Sequence, residues 1–332
     1  MSNTISVSIT KDDSKIIKGV AVLLMVFFHY GIFAANVGVA CVGMFAFITG
    51  YSHSYHLNEC SHAQSSSIRL FLPFFKRFIV VISFVYLALY ITNPEYVSLS
   101  NVLWTVSVIK PNVVFDSWWY AFAFACYCLV LFPVIKLTNI LQKYSHLLFL
   151  GVLLGISIVS FALPLLFQKI NIHPAFSSMW GDIPCLRTIM FVPYYGMGYC
   201  LCVSYYKKSY VAFITCICIA LMCICWPFVL YKISGMNCLN VAAPFVAFTL
   251  FSLCVSGMSK IAFVLKWFGG ISTFLWLLHM PVLFYIKKFC SFHYIAIIPS
   301  FFVSVLLAWL FHYLYARLNL IRFYRRKASE NH

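Results

Sequence analysis

Apolar runs of about 20 residues follow one another along the whole chain, separated by short polar turns. A helix needs roughly 20 apolar residues to cross the hydrocarbon core of a bilayer. Runs of that kind lie near 16–35, 38–56, 74–92, 117–135, 146–167, 187–206, 210–230, 238–256, 264–286 and 294–316. The pattern predicts an all-α, polytopic membrane protein with about ten transmembrane helices. Segment 65–73 reads as an interfacial helix before the third run, and 97–109 as another on the opposite side. No long polar stretch, low-complexity linker or internal repeat interrupts the series. Residues 1–332 therefore read as a single membrane domain, with 1–15 as an N-terminal tail and 318–332 as a basic C-terminal tail. The first run follows Lys11, Asp12, Asp13 and Lys15 and lacks a small-residue cleavage pattern, so it is expected to be a retained helix.

Composition agrees with this reading and orients it. The 332 residues are 63% hydrophobic and 9% charged, far too few charges for a soluble domain of this length. A net charge of +16 raises the question of nucleic acid, but the basic residues are spread over short loops instead of forming one patch. The positive-inside rule accounts for them better. With the N-terminus cytoplasmic, 17 of the 23 Lys and Arg residues fall on the inner side and 6 on the outer. The expectation is a multi-pass protein of the plasma (inner) membrane with both termini cytoplasmic. The cysteines stand mostly singly in apolar runs and show no ligand spacing with histidine, so no metal is expected. The tail Arg322-Phe-Tyr-Arg-Arg-Lys327 suits anionic lipid.

Against this apolar background a few ionisable groups stand out, and such groups inside spans are costly and commonly functional. Lys18 and His29 flank ten apolar residues, and eleven helical steps return to nearly the same azimuth at a separation of ~16 Å. His279, in Leu-Leu-His279-Met-Pro281, is expected at a depth close to that of His29. Between Gly43 and Tyr51, two glycines allow close helix approach and Thr49 supplies a hydroxyl. His53 and His56 approach the inner face, near Arg69, Lys76 and Arg77, a set of cations that suits a phosphate-bearing ligand. On the outer side, Asp116-Ser-Trp118-Trp119-Tyr120 combines an acid with aromatic rings, as a sugar site would, although an interfacial aromatic belt has the same composition. Trp180, Asp182 and Arg187 form a second group of this kind.

These motifs, in this order, resemble the acyltransferase 3 family of membrane acyltransferases, the group of bacterial polysaccharide O-acetyltransferases. The resemblance runs from about residue 15 to 317. It rests on Lys18 and His29, and on Phe47-Ile-Thr49-Gly50-Tyr51 with threonine where serine is usual. It also rests on Trp118-Trp119-Tyr120 with Tyr127 and Pro133, on Pro193-Tyr194-Tyr195-Gly196, and on Gly269-Gly270-Ile-Ser272 through His279.

The resemblance implies transfer of an acyl group, by default acetyl from acetyl-CoA as co-substrate, to a sugar hydroxyl of a surface polysaccharide or its lipid-linked precursor. Such chemistry needs a base for the alcohol proton, a donor-binding line and a stabiliser for the oxyanion. It assigns His29 as base or as a nucleophile forming an acetyl-imidazole, with His279, Ser272 and Thr49 as orienting or stabilising groups. Lys18, Arg69, Lys76, Arg77 and His53 would hold the donor, and Asp116, Trp118, Trp119 and Tyr120 the acceptor. The competing expectation is a transporter or flippase for a polar lipid or small anion, with His29 and His279 as proton relays. The absence of deeply placed carboxylates, which many proton-coupled carriers use, favours the enzyme.

Overall fold

Helix α1 (Lys11–His29) starts at a capping box, in which Thr10 Oγ1 accepts from Asp13 N–H (3.1 Å) and Asp13 Oδ2 accepts from Thr10 N–H (2.9 Å). One residue into the helix, the Asp12 carboxylate accepts a hydrogen bond from Lys266 Nζ at 2.9 Å. That bond holds the Asp12 pKa below its ordinary value. At the other end, Tyr30 follows the last helical residue and Gly31 takes φ 79°, a conformation that glycine adopts without strain. His29 is thus the final residue of α1. The run read as a span over 16–35 begins and ends earlier, because Thr10 caps it and Gly31 stops it.

The computed structural model describes residues 8–59, 66–109, 114–169, 188–189, 191–234, 239–290 and 293–330. After α1 come α2 (Ala35–Glu59), α3 (Ser67–Thr92) and the short α4 (Leu99–Val106). Then follow α5 (Trp119–Cys126), a π-helical segment (Tyr127–Leu131), α6 (Phe132–Tyr144) and α7 (His146–Lys169). The series closes with α8 (Val192–Lys207), α9 (Tyr210–Ser234), α10 (Leu239–Val255), α11 (Ser259–Phe289) and α12 (His293–Glu330). Among the described residues there are helices and no strands.

Among the described residues, five helices are long and apolar enough to cross a membrane: Val37–Asn58, Ser67–Thr92, Trp119–Tyr144, Ser259–Phe289 and Tyr294–Asn319. The sequence pattern put the number at about ten. In α1 the charges of Lys11, Asp12, Asp13, Lys15 and Lys18 occupy the first two turns, and α8 has 16 residues. The apolar stretches His146–Ser160, Tyr210–Met222 and Pro244–Val255 are shorter, counted over described residues. Two boundaries also differ from expectation. Of the segment 65–73 read as an interfacial helix, the described part is not a separate helix: residues 67–73 are the start of α3, which continues through Pro73. The fourth span extends to Tyr144, and its π-helical segment lies just before Pro133, whose missing N–H disturbs the local ladder.

Two pairs of parallel helices form the centre, each locked by glycine. Where α1 crosses α11, a Cβ on Gly19 would overlap the Leu265 carbonyl, and one on Gly269 would overlap the Lys15 carbonyl. Where α2 crosses α8, a Cβ on Gly50 would meet the Tyr195 carbonyl and one on Gly198 that of Phe47. Apolar burial gains little between helices already in lipid, so close backbone approach of this kind is a main source of cohesion. Helix α2 also packs on α1, and α12 packs on α11, so the two locked pairs share one core.

Candidate functional site

A cavity of about 570 Å³ opens where the starts of α1, α3 and α11 meet the end of α2. Lys18, Arg69, Arg77, Ser52, His53 and His56 supply its polar lining. Met25, Phe45, Phe74, Tyr120, Phe124 and Trp276 line it with apolar and aromatic surface, and Thr49, Ser272 and Thr273 add hydroxyls. Among the described residues, no acidic side chain lines it. Gly270 has open space where a side chain would stand, which keeps this wall clear.

The structure therefore brings together eight of the residues picked from the sequence: Lys18, Thr49, His53, His56, Arg69, Arg77, Tyr120 and Ser272. Lys76 is not with them; it lies exposed, outside the lining. Arg77 stacks its guanidinium over the Tyr315 ring at 5.3 Å, and its Nε is buried without a hydrogen-bond partner. His53 is 3% exposed, with Nδ1 2.7 Å from the Tyr195 hydroxyl and Nε2 3.7 Å from Cys128 Sγ. Both ring nitrogens thus have protein neighbours. Thr49 Oγ1 donates to the Phe45 carbonyl (2.8 Å) and Ser272 Oγ to that of Gly269 (2.9 Å). With their protons engaged, these hydroxyls offer the cavity acceptor lone pairs.

His29 and His279 form a ring pair with centroids 5.1 Å apart. Neither lines the cavity. His29 lies one helical turn, ~6 Å, beyond Met25, and His279 three residues beyond Trp276. His29 is half-buried and His279 fully buried. His279 Nδ1 lies 2.6 Å from the Trp276 carbonyl, so that nitrogen carries the proton. In the neutral ring the lone pair then belongs to Nε2, which is buried without a partner. A basic nitrogen left unpaired in the interior is unusual. Along α11, His279 lies ~20 Å from Lys266 and ~12 Å from Lys287. Past the histidines, beginning at Met280, a second pocket of about 240 Å³ is walled by Tyr96, Phe115 and Phe284 and edged by Lys287.

The sequence profile of a family described as an acyltransferase domain matches residues 12–313. The chain belongs to the acyltransferase 3 family. It is an acyltransferase and, with its long apolar helices, a membrane protein. No curated protein and no solved structure matches it.

In this acyltransferase the tryptophans assigned to an outer sugar site are interior residues. Trp118 is 0% exposed, and its indole N–H donates to the Leu277 carbonyl at 2.9 Å. That carbonyl is the one Pro281 leaves without its helical partner, since proline has no N–H. Trp276 answers in kind, donating to the Ser117 carbonyl at 3.1 Å. These reciprocal bonds clamp the start of α5 to the stretch of α11 that carries His279. Trp119 stacks on Phe191, whereas Tyr120 faces the main cavity. Asp116 begins the short 3-10 turn Asp116–Trp118; its side chain, like Trp180, Asp182 and Arg187, lies outside what the structure describes. Sequence reasoning gave no role to Met25, Phe124, Trp276 or Tyr195, although the last two lie in the motifs that carry the resemblance. Phe124 was within reach, one turn beyond Tyr120 on the same face, but nothing in the sequence pairs Tyr195 with His53.

Proposed function

We propose that this acyltransferase moves an acetyl group from acetyl-CoA to a sugar hydroxyl of a surface polysaccharide or its lipid-linked precursor. The observation that carries the proposal is the cavity itself. Among its described residues it has three fixed cations and no carboxylate, with an aromatic deep end one turn from a histidine pair. Polyanionic phosphates suit Lys18, Arg69 and Arg77, and the buried Nε of Arg77 is a donor without a partner. The uncharged pantetheine arm suits the passage past Met25 and Phe124. The acceptor approaches through the pocket beyond Met280, so donor and acceptor meet at the histidines from opposite sides. Both termini lie in the cytoplasm, in a bundle of about ten spans in the plasma membrane.

In the reaction His29 removes the proton of the acceptor hydroxyl. The oxygen attacks the thioester carbonyl, the C–S bond breaks, and the thiolate leaves to be protonated. His279, its Nδ1–H engaged by the Trp276 carbonyl, keeps a single tautomer and packs its ring against that of His29. The described lining of the cavity holds cations and no carboxylate, which supports this reading over a proton-coupled carrier.

The test is His29→Ala. Acetylation of the native glycan at matched protein levels should fall at least ~10²-fold, the usual cost of a lost general base. Binding of acetyl-CoA should change little, because His29 lies outside the donor cavity. Near-normal acetylation by the variant would overturn the proposal.

A further inference from the structure

A third cavity, of about 800 Å³, has no part in this chemistry. It lies between two turns: the α6–α7 turn supplies Gln142, Lys143, Tyr144 and His146, and the α8–α9 turn supplies Lys207 through Val211. Among the described residues, four basic side chains border it and no acid lines it. The turns are fixed to each other. Gln142 Nε2 donates to Ser209 Oγ at 3.1 Å, and the same oxygen accepts from the Ala212 N–H at 3.3 Å. Lys208, at the cap of α8, stands in the left-handed conformation with φ 50°.

Two features distinguish this groove from scattered positive-inside lysines. The first is concavity, because lysines from two turns and a histidine border one hollow. The second is its surroundings. Ile140 is 50% exposed, Leu147 79% and Ile214 53%, so apolar helix surface continues directly beside the charged hollow. Tyr144 and Tyr210, exposed at its edge, are residues suited to the headgroup level of a bilayer. Because α2 and α8 run parallel, the groove opens on the same end of the bundle as the mouth of the donor cavity. An anion with an apolar body fits both halves, whereas a small free anion has no use for the second.

The geometry points to a binding site for the phosphodiester headgroup of an anionic glycerophospholipid. Lys143, Lys207, Lys208 and His146 hold the phosphate, and the acyl chains lie along the exposed faces of α6, α7 and α9. Basic pockets between helix ends are an established means of binding such lipids.

The experiment is native mass spectrometry of the full-length protein, released from nanodiscs of mixed phosphatidylglycerol and phosphatidylcholine. The wild type should retain phosphatidylglycerol. Lys143→Gln combined with Lys208→Gln, both at exposed positions, should lower that retention at least ~10-fold, and Lys260→Gln, an exposed lysine outside the groove, should leave it unchanged. Excess inorganic phosphate should not displace the lipid. Equal retention of lipid by the double variant would overturn the proposal, as would displacement by phosphate alone. If the double variant fails to fold, each single variant is compared with Lys260→Gln on the same readout, and an equal loss in all three would reject the groove as the site.

Discussion

Arg77 and Lys76 are neighbours in sequence with opposite surroundings. Arg77 faces the cavity, with its Nε buried and its guanidinium over Tyr315. Lys76 is exposed and lines nothing. On a helix, adjacent positions are turned by about 100°, so one of two consecutive cations is removed from any site the other serves. Arg77→Gln is expected to weaken acetyl-CoA binding about tenfold or more, by loss of a charge-assisted contact to phosphate. Lys76→Gln should leave it within about twofold. Titration of purified protein with labelled donor measures both, and equal losses would remove the distinction. His279 makes a related point, because its tautomer is set by one carbonyl three residues back on its own helix.

At the scale of the element, the Trp118–Leu277 bond turns a sequence liability into a joint. Pro281 removes one helical hydrogen bond from α11, and the indole of Trp118, in the turn that leads into α5, supplies the missing donor. Trp118→Phe keeps the ring but leaves a buried carbonyl unpaired, at a cost of about 1–3 kcal/mol. In a Pro281→Ala background residue 281 donates its own N–H, so the same change should cost clearly less. Thermal unfolding in detergent across this double-mutant cycle measures the coupling, and additive effects would reject it. The glycine crossings offer a sharper contrast. Gly269→Ala drives a methyl into the Lys15 backbone, where no rotamer change gives relief, and should destabilise by at least the ~1–3 kcal/mol typical of overpacking. Gly270→Ala, one residue on, meets nothing within 4 Å and should be neutral or stabilising, since alanine is the better helix former. Similar melting points for the two variants would contradict the assignment of the crossing.

For the whole molecule, parallel α1 and α11 carry one histidine each to the same level, and parallel α2 and α8 place His53 beside Tyr195. The cavity cations come from α1 and α3, while its aromatic wall comes from α2, α3, α5 and α11. If its mouth is cytoplasmic, as the 17 to 6 division of basic residues implies, both chain ends lie inside. Reporter fusions after residue 332 and within the α1–α2 turn should then report opposite sides of the membrane. The same side for both, or an outer position for residue 332, would refute the arrangement.

The sequence by itself determined what depends on composition and on short-range periodicity. Uninterrupted apolar runs impose helices, because a backbone in lipid must satisfy its own hydrogen bonds. Scarce charges mark the few positions where chemistry is affordable, and so Lys18, His29, His279, Arg69 and Arg77 stood out before any fold was known. Helical azimuth predicted Lys18 and His29 on one face; Lys18 lines the cavity, whereas Gly31 makes His29 the end of its helix, one turn past the lining residue Met25. Tertiary structure decided what depends on which helices touch. It turned Trp118 and Trp119 inward, since an indole N–H serves a carbonyl 159 residues away as readily as a sugar. It separated Lys76 from Arg77, set the histidine pair one turn beyond the cationic cavity, and joined two distant turns into a basic groove. None of these is local. Each is fixed where glycines let two backbones approach, and a glycine in the sequence does not name the helix it will meet.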